Sequence, residues 1–171
     1  TSATISDSED AFKFFKFAAD NTKVEWALMG IKSKRNVNFV IRTDFNSEKV
    51  SHDPRYSASL IFRLHSHPWG SNDFKTGTMA SGDYVGYKRV AGGETVEGYY
   101  TKGDLWTLNN IYVIYKQTHP KTDLNRFPRA YIYYSGDKHQ KEQVYQYDLN
   151  RPKFNTIYSP TYKQIKHKVY K

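Results

Sequence analysis

Two histidines, His65 and His67, stand two residues apart in the run Leu64-His65-Ser66-His67-Pro68-Trp69-Gly70. In an extended strand both side chains leave the same face. The preceding Leu60-Ile61-Phe62-Arg63-Leu64 is apolar and bulky enough to be that strand. Both imidazoles can therefore reach one metal ion. Pro68 and Gly70 end the strand and open a loop. Asp83 follows behind Ser81-Gly82 and ahead of the run Tyr84–Val90, which reads as a helix over Ser81–Ala91. Ser81 is its cap and Gly92-Gly93 its stop. A carboxylate in the first turn of a helix is fixed in direction and completes a set of His65, His67 and Asp83. Catalytic zinc takes three protein ligands and leaves the fourth position to water. Upstream, Glu25 opens the strand-like Glu25-Trp26-Ala27-Leu28-Met29-Gly30. Zinc lowers the pKa of its water to about 7, and a carboxylate is still needed to move protons to the leaving group. Glu25 is the carboxylate for that work, with Asp73 as the next candidate.

This order of residues resembles the JAMM motif of the JAB/MPN zinc metalloproteases. The segment Asp10–Ala80 is also similar to the JAB-like toxin domains at the C-termini of bacterial polymorphic toxins. The resemblance implies an α/β fold of JAB/MPN-like (cytidine-deaminase-like) type. That is a curved, mostly antiparallel sheet flanked by helices, the first helix on one side and the second on the other. It implies zinc (Zn2+) on His65, His67 and Asp83, water as fourth ligand, Glu25 as general base and Ser81 as the serine on the oxyanion side. Two departures stand out. The family has Ser-x-x-Asp, whereas this chain has Ser81-x-Asp83 with Ala80 in the usual serine position. The loop from His67 to the aspartate is also about five residues longer than the family's spacing.

The function implied is a zinc-dependent metallopeptidase or isopeptidase. It would be the effector (toxin) domain of a secreted bacterial antagonism protein, delivered into target bacterial cells. The partners implied are a protein substrate and an acidic immunity protein. Two readings of other classes stand beside it. One is a metal-dependent nuclease toxin, motivated by the charge and by His119 and His139; no second carboxylate cluster lies near the histidine pair for two-metal chemistry. The other is a catalytically inert JAB/MPN-like binding module, motivated by the shifted serine. Protease assays separate the first reading from the third, and salt-sensitive affinity for DNA or RNA with metal-dependent cleavage would favour the second.

The 171 residues suffice for one domain with a real core. Mean hydropathy is −0.79, and no apolar run approaches the length of a membrane span. The absence of cysteine excludes disulfides, thiolate zinc sites and the zinc-deaminase pattern. Fifteen Tyr and ten Phe predict substantial β structure. The net charge of +9 draws acidic partners, an acidic protein first and nucleic acid second. Part of that charge is a basic tail of Lys163, Lys166, His167, Lys168 and Lys171, read as a solvated terminus. No signal peptide opens the chain and no Met begins it, which suggests a piece of something longer.

In order, Thr1–Ile5 reads as disordered. Ser6 with Glu9 makes a capping box for a helix over Asp10–Asp20, whose Phe12, Phe15 and Ala19 share a face. Lys23–Ile31 and Val37–Phe45 read as an antiparallel pair, and Ser57–His67 as the strand of the histidine pair. His52 is placed at the surface. The stretch 94–129 reads as an insertion, with a strand at Ile111–Tyr115 and His119 in a loop. Ala130–Tyr134 and Gln143–Tyr147 form a hairpin. The core of a single domain over 1–171 is then about 6–93 plus 130–150.

Overall fold

The computed structural model describes residues 1–47, 49–67, 84–89, 95–100, 103–122, 126–134, 143–147 and 163–164. Asp83, Ser81, Asp73, His139 and the loop Trp69–Ala80 lie outside them.

Nine strands and two α-helices are described. In order they are β1 (Ser2–Ile5), α1 (Ser8–Asn21), β2 (Trp26–Lys32), β3 (Val37–Thr43), a 3-10 turn at Pro54–Ser59, and β4 (Leu60–His67). Then follow β5 (Tyr84–Arg89), β6 (Thr95–Tyr100), α2 (Asp104–Thr118), β7 (Arg129–Tyr134), β8 (Gln143–Tyr147) and β9 (Lys163–Gln164). One sheet has the order β1-β3-β2-β4-β7-β8-β9, and β5 pairs with β6 apart from it. Only β4 and β7 run parallel; the other neighbours are antiparallel.

Successive residues of a strand face opposite sides, and the core divides accordingly. Leu28, Ile41, Leu64, Tyr131 and Tyr133 pack with Ala11, Phe15 and Ala19 of α1. Met29, Val40, Ile31 and Leu60 pack with Ile111 of α2. The sheet thus lies between the two helices, a mixed α/β layer arrangement. The β2–β4 ladder shifts register at Gly30/Ile31. There a Cβ on Gly30 would run into the ring of Phe62, which sits between Phe39 and Tyr131.

The structure corrects several expectations. Ser2–Ile5 is an edge strand on β3; its order comes from a ladder that a local reading cannot see. The cap of α1 is Asp7, not Ser6. Its Oδ1 accepts from the N–H groups of Glu9 and Asp10 at 2.8 and 2.9 Å, and a carboxylate is the stronger acceptor for these donors. The helix expected over Ser81–Ala91 is strand β5 at Tyr84–Arg89. Tyr84, Val85 and Tyr87 are strand formers, and Gly86 weakens a helix interior. The strand expected at Ile111–Tyr115 lies within α2, because a short apolar run does not by itself distinguish a strand from a buried helix. His119 terminates that helix, stacked on Tyr115 at 4.4 Å. His52 is half-buried, its Nε2 2.7 Å from Ser57 Oγ. The expected pairing of β2 with β3 and the β7–β8 hairpin are both present.

Candidate metal centre

Alternation in β4 sends Leu64 to the α1 face and His65 and His67 to the α2 face. The two Nε2 atoms lie 3.1 Å apart. Asp104, the first residue of α2, meets them there. Its Oδ1 is 2.8 Å from His65 Nε2, and its Oδ2 is 3.4 Å from His67 Nε2. Zinc–ligand bonds of about 2.0–2.1 Å in tetrahedral geometry separate neighbouring ligand atoms by roughly 3.3–3.4 Å. The two Asp104 separations run to different oxygens, and with one donor atom taken from each residue the three lie within 4.8 Å of one another, close enough to share one ion. Among the described residues this is the group of three or more candidate ligands whose donor atoms converge. Both histidines are buried and the Asp104 side chain is 13% exposed.

Local sequence explains the third member. Gly103 holds φ at 127°, a region that suits glycine. Its carbonyl accepts from the backbone and hydroxyl of Thr107, both at 3.0 Å, starting the helix. Asp104 therefore sits at the positive end of the α2 dipole, where a carboxylate is favoured.

Burial holds the His65 imidazole down at about 4, with Asp104 pulling the other way. Burial also works against a charge on Asp104. The two facing imidazoles outweigh it and keep that carboxyl well below its usual range. The charge interaction with His65 is the largest of these lowering effects, followed by the hydrogen bonds from His65 and His67. A neutral histidine is the form that ligates metal.

The outer nitrogens differ in their partners. His67 Nδ1 is 3.2 Å from the Tyr134 hydroxyl, which can accept Nδ1–H when Nε2 is the ligating atom. His65 Nδ1 faces a guanidinium nitrogen of buried Arg63 at 3.0 Å, so in the metal-free state Nδ1 accepts and Nε2 carries the proton. Ligation through Nε2 would put the proton on Nδ1, against a donor, and Arg63 would have to turn away. The donor set and the Tyr134 side fit a metal ion, and Arg63 is the neighbour that must adjust.

Glu25 immediately precedes β2 and is 8% exposed. The β2–β4 register pairs Ala27 with His65, and continuing it two residues puts Glu25 opposite His67. Its N–H donates to Asn46 O at 2.7 Å and its carbonyl accepts from Thr43 Oγ1 at 2.9 Å. Burial pushes the Glu25 carboxyl up to about 7, aided by the Asp104 charge. His67, Arg63 and the Val50 backbone N–H favour its ionised form but do not offset burial. Val50 serves both sides of the site, since its carbonyl also accepts from Arg63 at 2.8 Å.

Of the residues singled out in the sequence, His65, His67 and Glu25 are brought together, while Asp83 and Ser81 lie outside the described residues. Asp104 escaped the sequence reading. Its signal was present: Thr101-x-x-Asp104 has the hydroxyl-x-x-Asp spacing, and Gly103 precedes a helical apolar series of Leu105, Leu108 and Ile111.

Neither the curated proteins nor the solved structures contain a match to this chain. Residues 3–109 do match a family described as JAB-like toxin 1. The matched span includes Glu25, both histidines and Asp104. The chain belongs to the JAB-like toxin 1 family.

Proposed function

We propose that the domain is a zinc-dependent metallopeptidase toxin that hydrolyses a peptide or isopeptide bond in a protein of the cell it enters. In this reading His65, His67 and Asp104 hold the metal. Asp104 takes the place first assigned to Asp83. Ser81 then loses the aspartate that motivated it, and Thr101 becomes the hydroxyl of the oxyanion side. The layered sheet is read as the JAB/MPN-like, cytidine-deaminase-like arrangement. Delivery into target bacteria and storage with an acidic immunity protein complete the proposal.

One observation carries it: two buried imidazole nitrogens and a carboxylate converge within reach of one ion, with a buried carboxyl of raised pKa beside them. Zinc at that position would supply a Lewis acid for the scissile carbonyl and an acidified water. Glu25, poised near pH 7, accepts a proton and hands it to the leaving amine. Tyr134 fixes the His67 ring through Nδ1. The burial of both histidines and of Glu25 keeps bulk water from most of the group.

The test begins with metal content. Purified protein should carry zinc, and the His65→Ala/His67→Ala double variant should not; equal zinc in both removes the basis of the reading. Expression in a bacterial cell should then generate new protein N-termini, or release isopeptide-linked conjugates. Glu25→Gln should keep its zinc and lose that cleavage by roughly 10²-fold or more.

A further inference from the structure

A cavity of about 560 Å³ opens at the far end of β4 and α2 from the metal group. His65 and His67 end β4, whereas the cavity is lined from the start of that strand. Asp104 begins α2, whereas the cavity is lined by Tyr115 and His119 at its end. Three cations converge on it: Lys32 from the end of β2, Arg129 from the start of β7, and Arg126 just before it. Among the described residues no carboxylate lines it, and these three side chains make no ion pair. The Arg129 guanidinium also works against the rise that burial gives the Tyr131 hydroxyl. The carbonyl end of α2 opposes an anion there, with a field of about half an elementary charge against three full ones. Tyr115 and His119 stack with ring planes 15° apart, and Phe127 packs against Tyr115 at 5.3 Å.

We infer that this cavity binds a phosphate-bearing ligand with a planar ring, a mononucleotide in chemical class. Its volume falls within the roughly 300–1,000 Å³ of small-molecule sites. Arginine pairs suit phosphate because their planar forks match its oxygens. The stacked rings provide a platform for any base, since every base has a π-face. A concave space of this size favours a compact ligand over an acidic peptide, which would lie along a groove or sheet edge. The inference is independent of the metal chemistry, because no lining residue belongs to the metal group.

The test is titration of the folded domain with AMP, GMP, CMP and UMP, followed by calorimetry and amide chemical shifts. At least one should bind with sub-millimolar Kd and shift signals of residues 115–119 and 126–131. Inorganic phosphate and adenosine alone should each bind at least tenfold more weakly. Arg126 and Arg129 are exposed, so the Arg126→Gln/Arg129→Gln variant should fold normally and lose tenfold or more in affinity. A 5′-phosphorylated oligonucleotide tells the source: tighter binding than the mononucleotide, with the same sensitivity to the double variant, assigns the ligand to a nucleic-acid end. The inference is overturned if no nucleotide saturates below about 10 mM, if the double variant binds unchanged, or if a polyglutamate peptide binds more tightly than every nucleotide.

Discussion

Asp104→Asn is the substitution that decides between the two aspartates. Its carboxylate lies 2.8 and 3.4 Å from the two histidine Nε2 atoms, so the amide keeps the shape while losing the charge and one strong ligand. Zinc sites release about 10–16 kcal/mol over four ligands, roughly 3 kcal/mol each. Losing one corresponds to a fall in affinity on the order of 10²-fold. At zinc concentrations saturating the native site, that loss removes about 2.7 kcal/mol of zinc-linked stability. For a domain of this size the gain in melting temperature on adding zinc should shrink by roughly 5–10 °C, over and above the metal-free loss that follows from removing a carboxylate held by two histidines and the α2 dipole. Competition with a chelating dye measures the affinity directly, and Asp83→Asn is the control. If Asp104→Asn keeps native affinity while Asp83→Asn loses it, the assignment drawn from the α2 N-terminus is wrong.

Three further outcomes are expected. Tyr134→Phe should weaken zinc binding about tenfold by freeing the His67 ring; unchanged affinity would deny the hydroxyl that role. Because the folded Glu25 carboxyl titrates near 7 against an ordinary 4.5, the metal-free native state keeps a proton that the unfolded chain releases. Stability contributed by that proton is complete below pH 4.5 and is lost as pH rises through 7, by at most about 3 kcal/mol. His65 and His52, both lowered to about 4, push the opposite way between pH 4 and 6.5. Denaturant melts should therefore compare wild type with Glu25→Gln at each pH, and a flat difference would refute the burial of this carboxyl. Finally, Gly30→Ala should cost about 1–3 kcal/mol by displacing the Phe62 ring, measured by urea unfolding; a neutral result would mean that the ring gives way freely.

Period-two alternation made the histidine pair legible: in a strand the two rings of a His-x-His share a face, and the apolar run before it with Glu25 ahead gave that pair its meaning. The β7–β8 hairpin was legible for the same reason, in its alternating tyrosines. The third ligand was not, because the choice between Asp83 and Asp104 turns on which segment is helical. Tyr84–Arg89 and Ile111–Tyr115 are both short and apolar, and each was assigned the other's structure. What separates them is tertiary: α2 buries Leu108 and Ile111 against the sheet, and β5 has a partner strand in β6. The ordered first strand was invisible for a like reason, since its hydrogen bonds belong to β3. The burial of Glu25, which raises its pKa, depends on Val50 and Asn46 returning across the end of the sheet, and no local pattern encodes that.

The parallel contact between β4 and β7 has a kinetic consequence. An antiparallel neighbour can be reached by a short turn, but these two strands are separated by residues 68–128, all of which must be gathered before the ladder closes. Such long closures are entropically costly and slow. Tyr134, which touches His67, arrives with the late strand, and Asp104 lies inside the closing loop. A chain in which that loop is still open therefore holds its histidines on a strand already paired with β2, with neither companion in place. If the metal group acts as proposed, that activity would have to wait until the longest loop has closed.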